Sequence, residues 1–280
     1  MPADHRTESR TRWAASAAGW RRRADQMHAA TLPVSTRMVE AIAPKPGDIV
    51  LELAAGVGDV GFLAAASIEP GGELICSDFV PEMLSAAQER ARERGVENVR
   101  FRQIDAETID QPAASLDAVL CRWGFMLMGD PEAALRQTRR ILKPGGRLAL
   151  AAWEAAEENP WSSLPQLELR RRGLAPAPEV GAPGQFAWSD SEVMSEVLYS
   201  AGFVDFRVDS VAFAMRYDDF DHWWESQLDL SKSFADAVRA AAPADSEAVR
   251  SVLRDAAAGF EVGGGGLEIP ARSWVVAAVA

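Results

Sequence analysis

Two cysteines in 280 residues, Cys76 and Cys121, are too few for a disulfide framework and stand in no metal-ligand spacing. Basic residues are in deficit: Lys plus Arg total 29 against 41 Asp plus Glu, a net charge of −12. Nucleic acid and anionic membrane surfaces are bound through clustered Lys and Arg, so both are disfavoured as partners. The short run Arg21-Arg22-Arg23 reads as a solvated helix face. No segment approaches the ~18 consecutive apolar residues of a membrane span. Met1 to Arg12 is polar, without the apolar core of a secretion signal, which points to the cytoplasm. Only three histidines, His5, His28 and His222, could offer an imidazole, and only two tyrosines occur. Tryptophan is the opposite case, with nine. At 48% hydrophobic and 25% charged residues, the chain has the composition of a folded globular protein.

The first ten residues read as a loose tail. Apolar residues at helical spacing (Trp13, Ala17, Trp20, Ala24, Met27) predict a helix, and a second is expected over Val34 to Ile42. Beyond the Lys45-Pro46-Gly47-Asp48 turn the pattern alternates. Strands are expected at 49–53, 73–77, 99–104, 118–121 and 147–153. Helices lie between them, one opened by Pro81 and closed by Gly95, another opened by Asp130-Pro131. Such alternation implies a parallel sheet with right-handed crossovers. The second half holds a Pro/Gly-rich loop over 173–187 and a capping box at Ser189 to Glu192. A strand follows at 203–215, then two or three helices over 219–260 and a last strand at 267–279.

The first strand runs into Glu52-Leu53-Ala54-Ala55-Gly56-Val57-Gly58-Asp59-Val60-Gly61, which contains GxGxxG. Glycine permits a sharp turn and close approach of a ligand, and a helix starting there directs free N–H groups at an anionic group. Asp78, 22 residues after Gly56, ends the next strand at the spacing expected of an acid that binds ribose hydroxyls. The pattern points to an adenosine-containing cofactor. Glu52, an acid just before the loop, would repel a pyrophosphate but suits the ammonium and sulfonium of S-adenosylmethionine. A nicotinamide-dependent oxidoreductase is the alternative. Against it, no Tyr-x-x-x-Lys pair exists: Phe203 and Asp221 stand four residues after Tyr199 and Tyr217.

The loop resembles motif I of class I S-adenosylmethionine-dependent methyltransferases, and the resemblance continues in order. Cys76-Ser77-Asp78-Phe79 resembles the ribose-binding acid, and Val80 to Leu84 the family's "xPxML" helix start. Asp105-Ala106-Glu107 is similar to the adenine-edge segment, and Leu116 to Leu120 to the fourth-strand motif. Arg140 to Leu148 resembles the "RxLxPGG" turn. The match covers residues ~48–153 and is nearest the small-molecule branch that includes quinone-biosynthesis C-methyltransferases. It implies a Rossmann-like, doubly wound α/β sheet of seven strands, order 3-2-1-4-5-7-6, with strand 7 antiparallel. Residues 1–45 would form a tail and lid helices, and residues 46–280 the methyltransferase domain with a helical cap insert at 219–260.

On this resemblance Glu52, Ala54, Gly56 and Gly58 hold the methionine end, and Asp78 the ribose. Phe79 and Met83 flank adenine, while Asp105 and Ala106 meet its edge. Arg122 is a cofactor candidate at the end of strand four. Trp123, Met126, Trp161, Trp188, Trp223 and Trp224 are candidates for an apolar pocket that takes a hydrophobic or aromatic small molecule. His28 and His222 are the candidate general bases. No metal site is expected, and nothing in the sequence fixes the oligomeric state. Intact motifs argue against an inactive cofactor-binding regulator, and the Cys121-Arg122-Trp123-Gly124 segment lacks the Asn/Asp-Pro-Pro-aromatic pattern of nucleic-acid methylation.

Overall fold

The computed structural model describes residues 2–179 and 181–280, with backbone only at 2–4. Seven strands form one sheet: β1 (Ile49–Glu52), β2 (Glu73–Asp78), β3 (Val99–Gln103), β4 (Leu116–Arg122), β5 (Leu142–Trp153), β6 (Asp205–Tyr217) and β7 (Leu267–Val279). Their order is β3-β2-β1-β4-β5-β7-β6. The first five pair in parallel, and β7 runs antiparallel to both β5 and β6. The expected sheet is therefore the observed one. Val50, Leu51, Val119, Leu120 and Leu148 to Leu150 are fully buried, as continuous apolar runs covered on both faces should be.

Ten helices surround it among the described residues. They are α1 (Pro2–Arg22), α2 (Ala24–Ile42), α3 (Asp59–Ala65), α4 (Pro81–Arg94), α5 (Pro131–Ile141), α6 (Pro160–Arg171), α7 (Ser191–Ser200), α8 (Phe220–Leu230), α9 (Lys232–Ala240) and α10 (Pro243–Ala257). None is long and apolar enough to cross a membrane. Helices α4, α5, α6 and α10 each carry Pro at their first position, and Gly95 closes α4 in the left-handed conformation.

The N-terminal region departs from the sequence expectation. Residues 5–10 belong to α1 and are not a tail. Their polar side chains carry the contacts: His5 Nε2 lies 3.1 Å from the Leu127 carbonyl, and Arg6 pairs with Glu107. Apolar periodicity cannot register such anchors. The helix break falls at Arg23, and α2 continues through Pro33 as one element. The capping box also differs: Asp190 is the cap of α7, accepting from the Glu192 amide. Asn159 stands at the N-cap of α6 but spends its side chain elsewhere. Its Nδ2 donates to the Glu154 and Ala155 carbonyls, and its Oδ1 accepts from the Arg272 amide, fixing the end of β5 to β7.

Candidate active site

β1, β4 and β5 end side by side at Glu52, Arg122 and Trp153. This carboxyl edge, where the chain order reverses, is the ligand-binding crevice of open α/β sheets. The loop after β1 is bent by left-handed residues at Ala54 (φ 49°), Gly56 (φ 54°) and Gly58 (φ 85°). Asp78 buttresses it: one carboxylate oxygen accepts from the Gly56 amide at 3.0 Å and the other from the Val80 amide at 2.9 Å. Each oxygen keeps a lone pair for a further donor. Burial pushes the Asp78 pKa up to about 6 against those amides.

Ala54 occupies a left-handed position with a side chain, which costs roughly 1–2 kcal/mol. Its methyl uses the space above Gly124, where an added Cβ would lie 2.7 Å from Ala54 Cβ and 2.6 Å from Cys121 Sγ. Gly124→Ala is therefore expected to destabilise the protein by about 1–3 kcal/mol, as overpacking does. The urea midpoint checks this.

Glu52 is 2% exposed, and its Oε2 has no hydrogen-bond partner among the described residues. An added Cβ on Gly61 would stand 2.4 Å from that oxygen, so the glycine makes room for the carboxylate. Burial raises the Glu52 pKa to about 8, Asp59 adds to the rise, and Arg122 and the Val60 and Gly61 amides oppose it. The unfolded chain releases this proton near pH 4.5, while the native state holds it to about pH 8. Between those values the native state binds more protons, so stability falls as pH rises, with a slope of at most ~1.4 kcal/mol per pH unit. Glu52→Gln should flatten the curve between about pH 7 and 8, above the range in which Asp78, with its pKa of about 6, ionises. Denaturant titrations from pH 6 to 8 measure this, and an unchanged slope would refute it.

Asp59, the first residue of α3, anchors a buried ionic network. Its carboxylate lies 2.9 Å from Arg90 Nη2, 3.2 Å from Arg122 Nη2 and 3.4 Å from His28 Nδ1. Burial raises its pKa, but the His28 contact and the Arg122 and Arg90 guanidinium groups outweigh this and hold it below the ordinary value. Arg122 also donates to Thr31 Oγ1 at 2.6 Å and Ser35 Oγ at 2.9 Å, which joins α2 to β4. Arg122, a cofactor candidate by sequence, is thus engaged by protein groups. His28 has Asp59 on Nδ1 and Arg94 Nη1 at 3.4 Å from Nε2. His222 lies apart from it, near Gln26 and the Asp218 amide.

The adenine-side candidates lie under α1. Phe79, Val80 and Met83 pack against Trp13, Ala14, Ala17 and Trp20. Asp105 caps a short 3-10 turn by accepting from the Glu107 amide, Ala106 is buried beside it, and Arg6 Nε comes within 3.7 Å of Asp105. Glu107 also accepts from the Gly129 and Asp130 amides. Sequence reasoning gave no role to Asp59, Arg90 or Glu107. The first lay inside the quoted loop motif, and an arginine at 1% exposure on a polar-looking helix has no local signal.

Five of the six pocket candidates line this end of the sheet. Trp123, itself left-handed at φ 58°, stacks on Trp153 at 4.0 Å and donates to Ser273 Oγ at 3.0 Å. Trp161 tilts against Trp153 at 5.3 Å, and Trp223 donates to the Trp161 carbonyl at 2.9 Å. Trp188 stacks with Phe125 at 6.1 Å, and buried Met126 holds the 173–187 loop through Gly184. Trp224 does not join them. It packs on Phe234 and under Arg250, inside the insert, because it lies about 100° around α8 from Trp223. Both cysteines are buried, and burial pushes the Cys121 thiol up to about 12 and raises that of Cys76 as well. No cluster of three or more His, Cys, Asp or Glu that could hold a metal occurs among the described residues.

Residues 44–179 match a family described as a methyltransferase domain. Among curated proteins, the chain is similar to a demethylmenaquinone methyltransferase of Thermus thermophilus, 39% identical over 114 residues. That match covers 41% of this chain and 51% of the relative. It is also similar to a ubiquinone/menaquinone biosynthesis C-methyltransferase of Ectopseudomonas mendocina, 38% identical over 39% of this chain and 43% of that one. The chain spans about half the length of the curated relatives it matches. Among solved structures, the YcgJ protein of Bacillus subtilis superposes with a TM-score of 0.56 over 88% of this chain and 97% of its own, at 21% identity. Haemonchus contortus phosphoethanolamine N-methyltransferase 2, in complex with S-adenosylhomocysteine, gives 0.52 at 18% identity, over 88% of this chain and 52% of its own. At these identities the structures establish the fold.

Proposed function

We propose that this chain, whose residues 44–179 match a methyltransferase domain, is a class I S-adenosylmethionine-dependent methyltransferase that transfers a methyl group to a small, largely apolar or aromatic molecule. The observation that carries the reading is the carboxyl edge of β1 and β2. A buried, partly unpartnered carboxylate (Glu52), a left-handed glycine loop and a second carboxylate (Asp78) meet there. That donor set fits this cofactor: a cation for Glu52, two adjacent hydroxyls for Asp78 and an anionic carboxylate for the loop amides. Bound S-adenosylmethionine supplies an electrophilic methyl group on its sulfonium.

The protein's part is positioning and exclusion of water. Glu52 and the backbone of Ala54, Gly56 and Gly58 hold the methionine end, Asp78 the ribose, and Phe79, Met83, Asp105 and Ala106 the adenine. Helices α1 and α2 act as lids over residues 46–280, with the α8–α10 insert as a cap. Arg122 supports the cofactor loop indirectly, through Asp59. Trp123, Met126, Trp161, Trp188 and Trp223 shape the acceptor side. We give neither His28 nor His222 a proton-transfer role, since the ring nitrogens of each already face protein groups. Unaltered kcat in His28→Ala and His222→Ala would agree with that. The deciding experiment is calorimetric titration with S-adenosylmethionine, S-adenosylhomocysteine and NAD. Binding of the first two is expected, and binding of NAD alone would overturn the proposal.

A further inference from the structure

The sheet has two edge strands, and they differ. β3 is five residues long and carries Arg100 and Arg102. β6 is thirteen residues long and pairs with β7 alone among the described residues. Its register with β7 runs from Asp205 to Tyr217 without a bulge, and it contains neither Lys nor Pro. A free edge presents unpaired N–H and C=O groups, and bulges, Pro and Lys are common devices that keep other strands off it. β3 is guarded by its shortness and its charges. β6 is long and has none of the three devices.

Apolar surface gathers at the same edge. Seven large apolar side chains are exposed among the described residues, and four of them flank β6. Val204, 76% exposed, precedes the strand, and Val279 stands opposite Asp205. Tyr199 lies against Phe206, with ring centres 4.9 Å apart. Leu32 lines a groove with Pro33, Arg37 and Val211, where α2 passes β6. Phe206 and Val211 point to opposite faces of the sheet, so a strand added here covers apolar surface on both.

The charges along β6 select the occupant. Arg207 and Asp209 share one face of the strand, 3.0 Å apart, and both side chains reach solvent. Consider a second β6 running antiparallel, with a two-fold axis at Val208. Arg207 then faces the partner's Asp209, and Asp209 faces the partner's Arg207. The four charges alternate in sign around a square, because each pair also touches within its own chain. Val204 falls opposite the partner's Ala212, and Asp205 opposite the partner's Val211, at the groove that holds Arg37. Moving the axis one residue either way sets Arg207 against its own copy, or Asp209 against its own copy. Like charges directly opposite each other are destabilising, so the charge pattern favours the axis at Val208 over its neighbours.

We propose that β6 is the interface of a two-fold dimer, in which the sheets of two copies of this chain join edge to edge about Val208. The sheet then continues without a break from one copy into the other, and Arg207 with Asp209 fixes the register. The proposal is independent of the methyl-transfer reading, since it uses no residue of the candidate active site.

Sedimentation equilibrium of the full chain, at concentrations up to about 100 μM, tests it. The wild type should reach twice the 30.3 kDa of one chain. Arg207→Asp and Asp209→Arg each set two like-charge pairs at the axis and should weaken association by about tenfold or more. Mixed in equal amounts, the two variants restore both opposite-charge pairs. The mixture should therefore associate about tenfold more tightly than either variant alone. A wild type that stays monomeric overturns the proposal. So does a dimer that neither substitution weakens, or a mixture of folded variants that associates no better than its components. Urea midpoints show whether the variants are folded. Asp209→Arg also breaks the ion pair with Arg37, so if it unfolds, Arg207→Asp carries the test alone. Its side chain is 62% exposed, and a dimer it leaves unweakened is then the overturning result.

Discussion

Asp59→Asn is expected to lower unfolding free energy by about 3–5 kcal/mol, the range for removing one partner of a buried ion pair. The carboxylate faces two guanidinium groups, and neither has another buried acid within ion-pair distance among the described residues. Arg90 is 1% exposed, and its remaining partner, Asp25, is 89% exposed at 3.3 Å. Burial already lowers the Arg90 pKa despite Asp59, so the charge is held at a cost. The amide keeps the shape and one acceptor oxygen but loses the charge that offsets both arginines. Urea denaturation at pH 7 measures the effect, and a loss under ~1 kcal/mol would show that water reaches the arginines. Adding Arg90→Met to Asp59→Asn should recover part of the loss, since it removes one stranded charge, and the two sites are too close to be additive.

The second large effect concerns ligand rather than fold. Asp78→Ala should weaken S-adenosylhomocysteine binding by about 100-fold, on the order of two charge-assisted hydrogen bonds at the lower end of their range. The two backbone amides that Asp78 now satisfies would also lose their acceptor, so the loop at Gly56 loosens as the ribose contact disappears. Calorimetry on the variant decides this, and unchanged affinity would remove Asp78 from the site. Asp78→Asn retains one acceptor oxygen and should fall between the two.

What the sequence revealed and what it hid divide along one physical line. The span of β7 and the turn at Gly56 and Gly58 follow from local signals, apolar runs and glycines, and the strand order from the family resemblance that the motifs carry. Residues 5–10, by contrast, are helical because His5 and Arg6 reach partners more than 100 positions away, at Leu127 and Glu107. Arg90 is buried because α4 packs where Asp59 and Arg122 arrive from other elements. Thr31 and Ser35 look like minor breaks in the apolar face of α2 until Arg122 is placed between them. The Gln227 amide nitrogen, which has no hydrogen-bond partner among the described residues, leaves no trace in a one-dimensional pattern, because an absent partner is a property of the surroundings.

The stack of Trp123 on Trp153 has an optical consequence. With ring centres 4.0 Å apart and planes inclined by 14°, the two indoles absorb as a coupled pair rather than as separate chromophores. Their near-ultraviolet circular dichroism should therefore dominate the protein's spectrum, although seven other tryptophans are present. One member sits at the end of β4 and the other at the end of β5, so the band tracks the separation of those two strand tips. A ligand that parts the tips by even a fraction of an ångström would be visible in it without any label.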